Sequence, residues 1–153
     1  IMKEKFPAYF VDPLSLMDGK DVIQEALHWA SQNIAHGPVL VYASSTPEYV
    51  KTIQEKLGAD KAGAMVENAL AEIAKGLIKL GVGQLIVAGG ETSGAVVKAL
   101  DISGLRIGPE IAPGVPWTKA IFKHPQNHSL ALALKSGNFG GPQFFMEAWE
   151  YIK

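Results

Sequence analysis

The sequence predicts an α/β domain in which a mainly parallel sheet is flanked by helices and glycine-rich strand-to-helix loops gather on one edge. Short apolar runs at 39–43, 84–88 and 130–134 alternate with longer stretches whose apolar residues recur every three to four positions. The runs lack an alternating polar face, as strands buried on both sides do. All three end in segments rich in Gly, Ser, Thr or Asn, at 43–46, 88–94 and 135–141. Loops leaving the carboxyl ends of parallel strands share an edge, and ligands bind there.

The elements follow in order. Residues 8–11 read as a short extended piece ended by Asp12-Pro13. A helix is expected over 20–36, with Ile23, Ala26, Leu27, Ala30 and Ile34 on one face and Gly37-Pro38 as its stop. After the 39–43 strand, Ser45 with Glu48 can close a capping box, or Thr46 can cap with Pro47 at the first helical position. That helix runs to Leu57 and breaks at Gly58. A longer one spans 60–80 and ends at Gly81. The 84–88 strand enters Gly89-Gly90-Glu91-Thr92-Ser93-Gly94, and 95–100 reads as a short helix. Three prolines and two glycines between 105 and 122 suggest short strands with tight connections. Pro142 opens a last helix ending near Tyr151.

Composition narrows the function classes. The chain has 153 residues, one domain's worth, with 48% hydrophobic and 19% charged. Lys+Arg number 14 against 15 Asp+Glu, so no basic footprint points to nucleic acid or to an acidic membrane. With no cysteine there is no disulfide, thiolate metal site or cysteine nucleophile. No apolar run is long enough to span a bilayer, and a cytoplasmic setting is expected. Glycine is the informative excess, at 16 residues.

Paired glycines after a strand let the backbone approach a ligand closely, and free N–H groups at a following helix start suit an anion such as phosphate. The same glycines can simply make a tight turn, with Thr92 or Ser93 as a cap. The loop is neither GxxxxGK[ST] nor GxGxxG. Glu91 would repel phosphates unless it binds ribose hydroxyls, holds Mg²⁺ through water, or caps backbone N–H groups. The second loop, 136–142, repeats the logic. Lys135 can neutralise phosphate there, or it is a solvated strand end. His28, His36, His124 and His128 lack metal-ligand spacing with an acidic partner. No nucleophilic triad is legible. Trp29, Trp149 and Phe144-Phe145 read as core or interface. The stretch from Glu110 to Trp117 carries two prolines around Gly114-Val115, a rigid piece suited to one wall of an adenine pocket.

Three strings together resemble the four-carbon acid-sugar kinase family, whose members include threonate, erythronate and 3-oxo-tetronate 4-kinases. They are Val87-Ala88-Gly89-Gly90-Glu91-Thr92-Ser93-Gly94-Ala95-Val96, the Gly108-x-Glu110-Ile111-Ala112-Pro113-Gly114-Val115-Pro116-Trp117 stretch, and Leu132-Ala133-Leu134-Lys135-Ser136-Gly137-Asn138-Phe139-Gly140. Residues 12–80 are similar too, less distinctively. The resemblance implies a two-domain enzyme using ATP and Mg²⁺ to phosphorylate a 4-hydroxyl, with 1–153 as its C-terminal nucleotide-binding domain. The domain that mainly binds the acid sugar would lie upstream, as would a Gly-Ser-Cys-Ser-like nucleotide contact. The ATP contacts it implies fall on Gly89, Gly90, Glu91, Thr92 and Gly137, with Ser93, Ser136 and Asn138 as neighbours. No catalytic or substrate residue is assigned, and self-association stays open. The competing expectation is a non-catalytic nucleotide-binding or regulatory module.

Overall fold

The computed structural model describes residues 1–124, 129–137 and 139–152. The first element is a four-residue helix, α1 (Met2–Lys5), before strand β1 (Ala8–Phe10). Asp12-Pro13 does end β1, and it does so by starting α2 (Pro13–Met17), a helix the sequence reading lacks. The Asp12 carboxylate accepts from the Leu14 and Ser15 amides, and Pro13 occupies the first helical position. Helix α3 (Val22–Asn33) is capped by Asp21 and runs into a 3-10 turn, Ile34–His36. Strand β2 (Leu40–Tyr42) and helix α4 (Pro47–Leu57) follow. Of the two proposed caps Thr46 is the one used, accepting from the Tyr49 amide. The long helix α5 (Ala59–Lys79) leads to β3 (Gln84–Ala88).

Three expectations change here. Helix α6 (Gly90–Ala99) begins five residues early, because Gly89 turns the chain at φ 111° and the Ser93 amide already bonds the Gly89 carbonyl. The 105–122 region is one long hairpin, β4 (Ile102–Ala112) and β5 (Val115–Phe122), joined by Pro113-Gly114. Its prolines sit where the ladder needs no N–H. Pro109 falls in a register shift, Pro113 in the turn, and Pro116 just before the pairing of β5 with the next strand begins at Trp117. The last helix is short: α7 (Phe144–Glu147) passes into a 3-10 turn, Ala148–Tyr151. There the Ala148 carbonyl accepts from the Trp117 indole at 2.8 Å.

The sheet is also not mainly parallel. Strand β6 (Ala131–Lys135) pairs parallel to β3 and antiparallel to β5, giving a mixed four-stranded sheet in the order β3-β6-β5-β4. Strands β1 and β2 form a separate parallel pair. The antiparallel half follows from the two-residue turn at 113–114, which returns the chain at once.

Helix α5 joins the two sheets. Its Ala69, Ile73 and Leu77 pack with Val11, Val22, Ala26 and Ala30 in one core. Its Ala71, Ala74 and Ile78 pack with Val87, Val96 and Leu132 in another. Spacings of three and four put each set on its own stripe of the helix. A third cluster, around Trp117, Ala133 and Phe144, covers the other face of the mixed sheet.

At the carboxyl ends of β1 and β2 the Tyr49 hydroxyl donates to Asp12, which also accepts from the Ser15 hydroxyl at 2.7 Å. Burial alone would raise the Asp12 carboxyl, but the bonds from Tyr49, Ser15 and the Leu14 and Ser15 amides outweigh it and hold it below its ordinary value. The bond to Asp12, helped by burial and by the Asp12 charge, pushes Tyr49 up to about 12. A lowered carboxylate stabilises the fold above its ordinary value and loses that contribution as pH falls. A raised phenol stabilises the fold below its ordinary value of 10 and loses that contribution as pH rises toward about 12. Replacing Tyr49→Phe is expected to lower Tm at neutral pH by roughly 2–4 °C, the equivalent of about 1 kcal/mol. It should also flatten the stability loss between pH 10 and 12. Melting curves across pH check both; an unchanged alkaline slope would show that the tie carries no linkage.

Candidate functional site

Strands β3 and β6 are adjacent and parallel, so the loops at 89–94 and 136–141 leave the sheet side by side. The Gly89 amide donates to the Lys135 carbonyl at 2.9 Å and closes the ladder between them. The loop at 43–46 leaves the other sheet and shares no strand pairing with these two.

Gly89 holds φ 111°, which an L side chain rarely adopts, and a Cβ there would stand 3.2 Å from the Thr92 hydroxyl. No side chain caps α6 at Gly89, so the amides of Gly90, Glu91 and Thr92 precede the first helical bond without an intrahelical acceptor. Gly90 and Gly137 have open space where a Cβ would project. Gly90, Glu91, Ser136 and Gly137 are exposed, and Thr92 is half-buried. Ser93 turns inward with Val96, and its hydroxyl has no hydrogen-bond partner among the described residues. Asn138 and His128 lie outside the described residues.

Lys135 is neither a solvated strand end nor a free cation over the loop. Its side chain is buried, with Nζ donating to the carbonyls of Ser136 at 3.3 Å and Gly137 at 3.2 Å. The ammonium also stands 5.8 and 5.9 Å from the Phe144 and Phe145 ring centres. Strand alternation contained this placement: Ala133 and Lys135 share the face that α7 covers. The Pro113-Gly114 turn lies against the second loop. Gly114 (φ 77°) takes the position a type II turn gives to glycine, its amide donates to Glu110 at 2.9 Å, and a Cβ on it would meet the Phe139 ring at 3.0 Å. The rigid 110–117 stretch is thus a hairpin tip standing beside the glycine loops.

Glu91 has a partner that no sequence spacing signals. Glu67 on α5 is pushed up by burial first, then by the Glu91 charge and a hydrogen bond with Glu91. The two carboxyls neighbour each other at the start of α6, and a proton on Glu67 relieves their repulsion. Among the described residues no group of three His, Asp or Glu could hold a metal. No described helix is long and apolar enough to cross a membrane.

Exposed amides, paired glycines and two neighbouring carboxyls thus share one sheet edge. Residues 1–145 match the nucleotide-binding C-terminal domain family, to which the chain belongs. It is 57% identical over 142 residues to the 3-oxo-tetronate kinase of Pseudomonas fluorescens, covering 93% of this chain and 32% of that protein. The 3-oxo-tetronate kinase of Pseudomonas savastanoi is 52% identical over 151 residues, covering 99% and 34%. The crystal structure of Haemophilus influenzae protein HI1011 superposes with a TM-score of 0.87 at 39% identity, covering 97% of this chain and 35% of that one. The chain spans about a third of the length of the curated relatives it matches.

The carboxyl pair gives a direct check on the site's electrostatics. With Glu91→Gln, Glu67 should titrate lower, closer to its ordinary range, because the neighbouring charge is gone and only burial remains. Following the Glu67 side-chain carboxyl carbon by NMR across pH tests this. An unmoved titration would mean the two groups do not interact.

Proposed function

We propose that this chain is the nucleotide-binding part of an ATP-dependent kinase that phosphorylates the 4-hydroxyl of a four-carbon acid sugar of the 3-oxo-tetronate type. The observation that carries the reading is the junction of two glycine loops on adjacent parallel strands, one of them opening an uncapped helix. The relatives' names support the substrate class, including 3-oxo-tetronate over threonate or erythronate.

Phosphoryl transfer asks the protein mainly for positioning and for neutralisation of phosphate charge. Amides of Gly90, Glu91 and Thr92 would hold phosphate oxygens, with Gly89 allowing the approach and the Ser136–Gly137 backbone lining the other side. ATP supplies the transferred phosphoryl group, and Mg²⁺ offsets its charge. Glu91, already facing a second carboxyl, is the residue that would hold the ion, through water. Lys135 keeps the second loop in place by tying down two of its carbonyls. The acid sugar would be held by the polypeptide outside this chain, in a two-domain protein working in the cytoplasm.

Two variants of the full-length protein test the reading. Gly137→Val should weaken Mg·ATP binding at least tenfold, about 1.4 kcal/mol, with Tm unchanged. A Cβ at Gly137 meets nothing within 4 Å, and its φ lies outside the left-handed region. Glu91→Gln should likewise reduce Mg·ATP affinity, whereas a residue serving only the helix dipole would cost about 0.3–1 kcal/mol of stability and leave binding alone. Calorimetry and melting curves measured side by side decide. Affinity within a few-fold of the parent for both variants would overturn the assignment.

A further inference from the structure

A cleft of about 840 Å³ lies between the two sheets, and none of the glycine-loop residues line it. Leu40 and Val41 of β2 line one side, and Leu85 and Ile86 of β3 line the other.

The ladder bonds show which backbone groups face it. Leu40 donates to Pro7, and Tyr42 accepts from Val11, so both are turned toward the β1 side. A residue's N–H and C=O point to the same side of a strand, and the side alternates along the chain. Val41 therefore directs both groups into the cleft. On β3, Gly83 accepts from Ala131 and Gly89 donates to Lys135. The backbone groups of residues 85 and 87 thus face β6, while those of Gln84, Ile86 and Ala88 turn to the unpaired edge, where Gln84 and Ile86 line the cleft. No described strand pairs with either of these edges. Neither strand carries a charge or a proline, the usual protections of a free edge. Two apolar edges with their hydrogen-bonding groups turned to one slot form a template for strand addition.

We propose that a segment preceding this chain in the full-length protein inserts as a strand between β2 and β3 and makes one continuous sheet of the two. Three observations choose this occupant. The family is a C-terminal domain, and the chain covers only about a third of its relatives, so they carry polypeptide upstream of the matching region. Met2 lines the cleft, which puts the start of the chain at the slot. Helix α1 is a single turn without a side-chain N-cap that feeds β1, as the last turn of a helical crossover between parallel strands would. The inference rests on the fold and the coverage, and it stands or falls independently of nucleotide binding.

Amide hydrogen exchange on the nucleotide-free full-length protein tests it. The Val41 and Ile86 amides should exchange within about tenfold of Leu85 and Val87, whose partners are in β6. Exchange at least 100-fold faster than those neighbours would overturn the proposal, because the edges would be free. Protection that disappears on dilution from dimer to monomer would overturn it too, since a second copy would then fill the slot. Ile86→Pro separates an inserted strand from simple burial. It removes one N–H on the cleft side and leaves the Leu85 and Val87 bonds to β6 in place. An inserted strand loses its hold and Val41 exchange speeds up at least tenfold, whereas unchanged Val41 exchange would count against a shared strand.

Discussion

The structure depends on one helix buried along two stripes. Among the described strands no backbone ladder links β1–β2 to the four-stranded sheet, so α5 holds the two together. Ile73 and Leu77 serve one core and Ala74 and Ile78 the other, and a fully buried Ile or Leu side chain contributes about 1.5–3 kcal/mol. Small residues dominate where α5 passes close to its neighbours. At Gly76 a Cβ would stand 2.4 Å from a Leu27 methyl, so the Leu27 side chain of α3 fills the space that the missing side chain leaves. A helix used on both sides has little tolerance for rotation, and the positions of both sheets follow from it.

That constraint reaches the candidate site through α6 and Glu67. Helix α6 packs on α5 through Val96 and Leu100, while its first turn stands over the carboxyl ends of β3 and β6. The same packing brings Glu67 to Glu91. A carboxyl pair at a helix N-terminus is favoured by the dipole and disfavoured by its own repulsion. The loop opposite is stiffened differently. Lys135 has no carboxylate among its hydrogen-bond partners and instead ties two consecutive loop carbonyls while resting on aromatic faces. The edge therefore combines amides without an intrahelical acceptor on one side with carbonyls tied to a buried ammonium on the other.

Much of this was legible in the sequence, for reasons that can be stated residue by residue. The 84–88 strand matched its apolar run, and Thr46-Pro47 marked the start of α4, because these signals are local. The glycine loops could be placed on one edge because two apolar runs each ended in one. What stayed hidden depends on pairing. A two-residue turn at Pro113-Gly114 set β4 and β5 antiparallel and made the sheet mixed, yet prolines at 109 and 116 obscured both strands. The early start of α6 was masked by its glycines, which read as a turn when counted alone. Glu67 and Glu91 lie on different helices, and no spacing rule connects them. Ser93 looked like a ligand hydroxyl by its neighbours in sequence, but helical periodicity puts it with Val96 and Leu100 on the buried face.

The distribution of apolar surface bears on how such a domain works within a longer protein. An amide-lined loop recognises phosphate through backbone groups that every sequence possesses, so it confers little preference for the molecule to be phosphorylated. In the proposed kinase that preference has to come from the polypeptide outside this chain. An apolar slot with two open strand edges is the kind of seam that ties such polypeptide to the domain rigidly, since a shared sheet resists the hinge motion that a loop linker permits. Phosphoryl transfer needs the acceptor hydroxyl aligned with the phosphate to within a fraction of an ångström. A strand contributed from upstream would carry part of that alignment in the sheet itself, leaving closure of the cleft to supply the remainder.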